Sequence, residues 1–421
     1  MPTPAGTGLT RRTFVARSLG VALAVYGLGK LGYFDEGIAA AAAGPQRPIL
    51  VTVFLQGGAD ALSMLYPDGD PLYRTLRPQL AVSGGSAFAD DSRLLWHPSL
   101  APIAELHAEG KVSVLPAVGY DHPDQSHFTS RHFWEVGATD SRLLTGWLGR
   151  YLDATGAQDN PLQGLSLTGS LQPTLATSRV PVAAIDGPDQ YDFWVPGVWG
   201  QVEERMLDAV GGLGAAAQHD PALRTAASIT TQADRLRRQL GPFAGNAAAP
   251  GPVTYPTGDA FPTRLRGLAA MISAGLPLQC VALEAAGEYD THAGQATALA
   301  SALDTTASSL FAFQRDLEAR GVADRVLTLV WSEFGRRAKQ NSSGGTDHGA
   351  AGTAFLIGSR STGQMVGEFP GLASGLDGDG NLRATTDFRG VYASLLEQWF
   401  DFDATRIIPG ASRFARPQLV K

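Results

Sequence analysis

Short runs of nearly continuous apolar residues recur along the chain, and longer segments with apolar residues at every third or fourth position lie between them. Continuous apolar runs are typical of strands that are covered on both faces of a sheet. The intervening pattern is typical of amphipathic helices. The predicted strands lie in RPILVTVFLQGGAD, KVSVLPAVG, PLQCVALEAA, DRVLTLVWSEFG and GTAFLIG.

Helical periodicity is clearest in three segments, HPSLAPIAELHAEG, ATALASALDTTASSLFAFQRDLEARG and FRGVYASLLEQWF. Strands that alternate with helices predict an α/β fold, with helices on both faces of a mainly parallel sheet. The stretch around 186–262 has more helix and a loop-like part, GPFAGNAAAPGPVTYPTGD, so we interpret it as an insertion or cap. We therefore predict a single domain over residues 44–421.

The first 43 residues have the layout of an export signal, with a basic start, a modest apolar middle and a tract of small residues, GIAAAAAG. The paired Arg11 and Arg12 and the following Phe14 resemble the twin-arginine signal. This predicts export by the twin-arginine machinery to the periplasm, the cell surface or the exterior. Gly27 and Lys30 interrupt the apolar part, so no stable membrane span is expected. An amphipathic helix and a retained anchor remain alternatives.

Composition limits the possible partners. The chain has 421 residues, 44% of them hydrophobic, and a formal net charge of -7. Because nucleic acids are also negatively charged, no nucleic-acid partner is expected. The only cysteine, Cys280, lies in an apolar run, so we predict a buried strand residue and no disulfide within the chain.

Acidic residues and histidines occur where the predicted strands end. Because the carboxyl ends of parallel strands share one edge of a sheet, side chains that follow them are expected to meet there. One residue group follows each of the first four strands, and the last pair precedes the fifth: Asp60, then Ser126 and His127, then Asp290 and His292, then Glu333, then Asp347 and His348.

Several motifs together resemble a known family. They are VFLQGGADALSMLYP, SHF, YDTHAGQ, SEFGRR, GTDHGAAG and TTDFRGVYASLLEQW. In this order they resemble the bacterial domain-of-unknown-function family 1501 over essentially all of the mature chain. That family is distantly similar to the alkaline phosphatase and sulfatase superfamily. The resemblance implies an alkaline-phosphatase-like three-layer sandwich with a mainly parallel central sheet.

The resemblance also implies a metal site. Its ligands would be Asp60, Asp290, His292, Asp347 and His348, with Glu333 where the fourth strand ends. Carboxylates with imidazoles suit zinc or manganese, whereas carboxylates alone suit magnesium or calcium. The chain departs from the superfamily pattern in the close spacing of Asp290 and His292 and in having no histidine after His348, so one cation is as compatible as two.

Three further residues have candidate roles. Ser126 would be the nucleophile at a helix start, where an anion is favoured, and His127 a ligand or base. Ser126 as an ordinary helix cap and Ser63 as the nucleophile remain alternatives. Arg336 would bind an anionic substrate, unless it is only a solvated loop charge.

These features predict an exported, metal-dependent hydrolase or transferase that acts on a phosphate or sulfate ester. The alternative is a catalytically silent scaffold of the same type that binds a cell-envelope component. The sequence has no G-x-S-x-G elbow and no P-loop, and Cys280 lacks the context of a formylglycine sulfatase. DGDGN lacks the closing glutamate of an EF-hand.

Overall fold

The computed structural model describes residues 25–26, 47–187, 197–217, 223–243 and 251–421. Apart from residues 25–26, the predicted export signal lies outside the described residues. Parts of the predicted insertion around 186–262 also lie outside them.

A nine-stranded sheet forms the centre of the described part of the chain. Its strands, in spatial order, are β1 (Val25–Tyr26), β8 (Val182–Ile185), β7 (Gly164–Leu167), β9 (Cys280–Glu284), β2 (Ile49–Phe54), β10 (Val326–Trp331), β13 (Gly352–Ile357), β6 (Val112–Gly119) and β14 (Thr386–Asp387). Two small sheets flank it: β3 (Leu65–Tyr66), β5 (Leu95–Trp96) and β4 (Ser86–Ala87) form one, and β11 (Arg336–Gln340) and β12 (Thr346–His348) the other.

The large sheet is mainly parallel. Strands β8, β7, β9, β2 and β10 run parallel to one another, and Val51 of β2 lies between Val281 of β9 and Thr328 of β10. Strand β1 runs antiparallel to β8. Strand β13 runs antiparallel between β10 and β6, and β14 is parallel to β6. The five predicted strands are all present, and the fifth is the antiparallel one.

Ten α-helices accompany the sheet in the described residues. They are α1 (Ala61–Met64), α2 (Pro71–Leu76), α3 (Ala101–Ala108), α4 (His127–Val136), α5 (Trp147–Thr155), α6 (Gln201–Ala216), α7 (Arg224–Leu240), α8 (Ala260–Ser273), α9 (Gln295–Ala319) and α10 (Phe388–Gln398). The three helices predicted from periodicity correspond to α3, α9 and α10.

Helices cover both faces of the sheet and make a three-layer sandwich. Successive residues of a strand point to opposite faces. Val51 and Val53 pack in one apolar cluster with residues of α3, α8 and α9. Leu50 and Phe54 pack in a second cluster with residues of α4, α5 and α10. The predicted α/β three-layer fold with a mainly parallel sheet is therefore confirmed.

Helices α6 and α7 lie within the predicted insertion and pack against each other. Whether the stretch around 186–262 is an insertion in a single domain stays a prediction. Among the described residues, no helix combines the length and the apolar character that a membrane crossing needs.

Candidate metal centre

The loops that follow β2, β9 and β10 meet at one edge of the sheet. Tyr289 donates its backbone N–H to the carbonyl of Gln56 at 3.0 Å, and Thr346 donates to the carbonyl of Thr291 at 3.1 Å. The loop before β13 reaches the same edge because β13 runs antiparallel to β10. The chain therefore brings residues from four separate segments together, as the strand-end rule predicts.

Glu333 is buried at the end of β10 and organises this edge. Its carboxylate accepts the backbone N–H groups of Gly57 and Gly58, at 3.1 and 3.0 Å. Gly57 has a φ of +116°, and a Cβ there would overlap the backbone of Asp290. The glycine turn after β2 therefore lets the two loops approach closely.

Two histidines have their ring orientation fixed by oxygen acceptors. Nδ1 of His127 lies 2.7 Å from Oε1 of Glu333, and Nδ1 of His348 lies 2.7 Å from the carbonyl oxygen of Gln125. Because a carbonyl oxygen only accepts, Nδ1 of His348 carries the proton. Nδ1 of His127 also carries the proton, because the carboxylate of Glu333 accepts a hydrogen bond from it. In the neutral rings, each Nε2 then presents a lone pair.

These Nε2 atoms converge on Asp290. Nε2 of His348 lies 3.4 Å from Oδ1 of Asp290, and Nε2 of His127 lies 3.5 Å from Oδ2. Nε2 of His292 lies 3.1 Å from Oδ1 of Asp290 and 2.9 Å from Nε2 of His348. Nδ1 of His292 faces Oδ1 of Asp347 at 3.4 Å. All three imidazoles thus have Nδ1 towards an oxygen and Nε2 towards Asp290.

This arrangement fits a divalent cation. Ligand atoms about 2.0–2.1 Å from a tetrahedral zinc ion are separated by about 3.3 Å, which is close to the separations around Asp290. Nε2 of His127 is buried and has no hydrogen-bond partner in the described part of the chain. Arg336 already donates to Oδ1 of Asp290 and, at 3.4 Å, to Nε2 of His292. A cation beside Asp290 would relieve the remaining repulsion between the carboxylate and the lone pair of His127. His127, Asp290 and His348 offer ligand atoms that all lie within 4.8 Å of one another, and Nε2 of His292 adjoins those of Asp290 and His348. Imidazoles together with a carboxylate favour zinc or manganese over magnesium or calcium.

Electrostatics differ among these side chains. The hydrogen bond to Glu333 raises the pKa of His127, whereas burial lowers the pKa of His348. Burial acts to raise the pKa of Asp290, but the hydrogen bond and positive charge of Arg336 outweigh it and the pKa is lowered. Asp290 is therefore ionised at neutral pH, as a metal ligand must be.

Arg336 is buried behind Asp290. Its guanidinium donates to Oδ1 of Asp290 at 2.5 Å, to the carbonyl of Gly58 at 2.7 Å and to that of Thr346 at 2.9 Å, and it also contacts the carbonyl of Gly57. These contacts use the N–H groups that a substrate anion would need. They favour a positioning role for Arg336 over the predicted substrate contact.

Asp60, predicted as a ligand, lies in a separate buried ion pair. Its side chain is fully buried, and its oxygens accept from Arg77 at 2.5 and 2.9 Å, from Ser63 at 2.8 Å and from Gln295 at 2.5 Å. In the described chain, none of its hydrogen bonds or ion pairs involves His127, His292 or His348. The structure therefore places Asp60 outside the histidine cluster, with its charge already balanced by Arg77.

Glu333 and Asp347 also differ from their predicted position. Both were expected to contact the cation, but each faces the Nδ1 side of a histidine, and Asp347 also accepts from Asn341 at 3.1 Å. Carboxylates behind ligand imidazoles hold the ring orientation and raise its basicity. Their contacts fit that supporting role.

Ser126 is the N-cap of α4, where its Oγ accepts the backbone N–H of Thr129 at 3.5 Å. It lies between Gln125, whose carbonyl contacts His348, and His127. Ser126 is therefore a helix cap, as the alternative interpretation of this residue expected, and it adjoins the cluster along the chain through Gln125 and His127.

Glu333→Gln is expected to weaken zinc binding about 10- to 100-fold, because the neutral amide supports the His127 ring less strongly than the carboxylate does. Competition with a chromophoric chelator measures the affinity. Glu397→Gln is the control, since Glu397 pairs with Arg416 away from the cluster. Unchanged affinity in a folded Glu333→Gln protein would limit Glu333 to holding the glycine turn.

Comparison with solved structures gives distant similarities. A crystal structure of Ps i-CgsB has 9% identity and a TM-score of 0.38, with 88% of this chain and 75% of that chain covered. A protein in the alkaline phosphatase superfamily from Vibrio parahaemolyticus has 10% identity and a TM-score of 0.37, with 97% and 78% covered. The PsFucS1 sulfatase from Pseudoalteromonas sp. has 12% identity and a TM-score of 0.33, with 96% and 77% covered. Similarity at this level does not bear on activity.

Comparison with curated protein sequences gives no match. A family model, described as a protein of unknown function (DUF1501), matches residues 114–402. This range covers well over half of the sequence and contains every residue of the histidine cluster, and it confirms the resemblance inferred from the motifs. The chain belongs to the DUF1501 family.

Proposed function

We propose that the protein is an exported, metal-dependent hydrolase or transferase of phosphate or sulfate esters, with one divalent cation held by His127, His292, His348 and Asp290. The observation that carries this proposal is the convergence of three Nε2 atoms on one carboxylate, with each ring held from behind by an oxygen. Asp60, already neutralised by Arg77, is not part of this proposed ligand set.

A zinc or manganese ion in this site would polarise an ester oxygen as a Lewis acid. The chain's own residues supply the rest. Asp290 and the three imidazoles fix the position of the site, and Arg336 holds Asp290 in place. The N-terminus of α4, a helix of 10 residues, favours the negative charge of a phosphate or sulfate group.

Ser126 is the proposed nucleophile. Its Oγ forms a bond to phosphorus or sulfur as the bond to the ester oxygen breaks, and the serine proton ends on the departing alcohol. Water then cleaves the serine ester, which restores the hydroxyl and releases phosphate or sulfate. An acceptor alcohol in place of water gives group transfer. The weak cap contact of 3.5 Å leaves this hydroxyl free to act.

Export remains part of the proposal on the basis of the twin-arginine pattern at Arg11 and Arg12. That route carries folded proteins, which suits a chain that takes up a metal before it is exported. The proposed location is the periplasm, the cell surface or the exterior, and the proposed partners are the export machinery and an ester substrate.

The metal-loaded mature protein is expected to hydrolyse at least one member of a panel of phosphate monoesters, phosphate diesters and sulfate esters. The panel is assayed with zinc, manganese, magnesium and calcium in turn. Ser126→Ala is expected to lower kcat/KM by at least about a hundredfold, as loss of a nucleophile does. Activity with zinc or manganese and little with calcium would agree with the imidazole-rich ligand set.

The outcomes separate the parts of the proposal. Activity that depends on metal but survives Ser126→Ala would remove Ser126 as the nucleophile and keep the metal site. A metal-loaded protein that turns over no ester but binds a cell-envelope polymer would support the silent scaffold.

A further inference from the structure

A small cleft opens beside the Asp60–Arg77 ion pair, and its lining includes none of the three histidines of the metal centre. Its volume is about 130 Å³, and it lies between the first turn of α9, the segment 79–82 and the loop before α3. Its lining includes Ser63, Gln79, Val82, His97, Ala296 and Leu299. The proposed function assigns no role to this cleft.

His97 is a mostly buried residue that lines the cleft and provides an unpartnered donor. The residue is only 8% exposed, and its Nδ1 accepts the backbone N–H of Ser99 at 3.0 Å. Nδ1 therefore has the lone pair and Nε2 carries the hydrogen. Burial lowers the pKa of His97, which keeps the ring neutral. Among the described residues, Nε2 has no hydrogen-bond partner and is not fully enclosed by protein, so its N–H is free to donate to a ligand.

The first turn of α9 provides a second donor. This helix has 25 residues, and its N-cap, Gly294, offers no side chain to cap it. The N–H of Gln295 donates to the carbonyl of Gly344, whereas the N–H of Ala296 has no hydrogen-bond partner within the described chain. Ala296 lines the cleft, so its free N–H and the positive end of the helix dipole favour an acceptor there.

The remaining lining limits the charge and size of the ligand. Ser63 and Gln295 both contact Asp60 and are already engaged. No arginine or lysine lines the cleft, and Leu80, Ala81, Val82 and Leu299 give it an aliphatic side. A phosphate or sulfate dianion is expected to face arginine or lysine. A singly charged carboxylate with a short apolar part matches neutral N–H donors and aliphatic walls.

We propose that this cleft binds a small aliphatic carboxylate, whose oxygens accept from Nε2–H of His97 and from the N–H of Ala296. The aliphatic part of the ligand packs on Val82 and Leu299. This site is separate from the proposed metal centre and does not depend on it.

Butyrate is the probe, and ligand-observed NMR on the metal-free mature protein measures its binding. His97→Phe is expected to weaken binding about tenfold or more, because a hydrogen bond to a charged group is lost. Ala296→Leu keeps a good helix former at an exposed position and fills the cleft, so it is expected to block binding. This second variant still tests the site if His97→Phe disturbs the fold. ¹⁵N-histidine spectra are expected to show a shift of the His97 resonance on titration.

Two controls test the assignment. His122→Asn changes an exposed histidine outside the cleft, at a φ of 56° that asparagine tolerates, and should bind butyrate as the wild type does. His348→Ala should also bind butyrate unchanged, which separates this site from the metal centre. The proposal fails if the wild type does not bind butyrate, if Ala296→Leu binds it equally well, or if inorganic phosphate or sulfate displaces it at equal concentration.

Discussion

His348→Ala is expected to weaken zinc binding by the mature protein at least about a hundredfold. Loss of a residue behind a metal ligand costs about 10- to 100-fold in affinity, and loss of the ligand itself costs more. His348 has the central position, since its Nε2 lies 2.9 Å from Nε2 of His292 and 3.4 Å from Oδ1 of Asp290. Removing it also leaves the carbonyl of Gln125 without its ring partner.

Metal content after dialysis and competition with a chromophoric chelator measure this effect. Cobalt-substituted protein gives an independent readout, because the intensity of its visible absorption reports the number of ligands around the ion. His122→Asn is the matched control, as it changes a histidine outside the cluster. Circular dichroism confirms that each variant is folded.

Two results would contradict the proposed metal centre. One is a wild-type protein that binds none of zinc, manganese, magnesium or calcium in a fixed ratio. The other is a folded His348→Ala protein that keeps the wild-type affinity. Either would leave the histidine cluster as a hydrogen-bonded network that holds loops together.

The position of Asp290 and His292 at this edge follows from sequence because a simple geometric rule governs it. Apolar runs identify the strands, and the carboxyl ends of parallel strands share an edge. Asp347 and His348 come before their strand, and they reach this edge because β13 is antiparallel. The apolar run of β13 contains no signal for its direction, so that part could not be read from the pattern.

Strands β7 and β8 were not predicted from the sequence. Each has four residues, GLSL and VAAI, and short runs with small residues do not separate strand from helix or loop. These two segments become strands because β7 pairs with β9 and β8 pairs with β7. Such pairing depends on the folded chain and leaves no local pattern in the sequence.

The roles within the site were harder to predict than its location. Sequence spacing places Glu333 and Asp347 near the histidines but does not say which side of an imidazole they face. The partner of Asp60 is Arg77, which follows it by 17 residues and lies just beyond α2. Only the folded path of that loop brings the guanidinium to the carboxylate, so an ion pair and a metal ligand look the same in sequence.

Arg77→Leu is expected to lower the free energy of unfolding by about 3–5 kcal/mol, which is the usual cost of leaving a buried charge without its partner. Both side chains of the Asp60–Arg77 pair are fully buried. Arg77 also donates to the backbone carbonyls of Ala338 and Arg337, and these bonds are lost too. Urea unfolding at neutral pH measures the change.

The pH dependence distinguishes a lost charge partner from a general packing defect. In the wild type, burial acts to raise the pKa of Asp60 but Arg77 outweighs it, so the folded pKa is lowered from 3.8. The lowered pKa stabilises the folded protein at pH values above the unfolded pKa of Asp60. This stabilisation is lost as pH falls through the folded pKa. In Arg77→Leu, burial is opposed only by the hydrogen bonds from Ser63 and Gln295 and is expected to raise the folded pKa. The destabilisation is then present at neutral pH and is relieved as pH falls. The difference between the two proteins should therefore narrow from pH 7 towards pH 4.

Arg74→Leu is the control, because Arg74 pairs with Asp68 at the surface and its loss should cost no more than about 1 kcal/mol. The double variant Asp60→Leu/Arg77→Leu should recover part of the lost stability, since no unpaired charge remains buried. An Arg77→Leu protein no less stable than Arg74→Leu, or a gap that stays constant with pH, would mean that Asp60 is not balanced by Arg77. Protonation of Asp60 or a bound cation would then have to compensate its charge, and Asp60 would return to the set of candidate metal ligands.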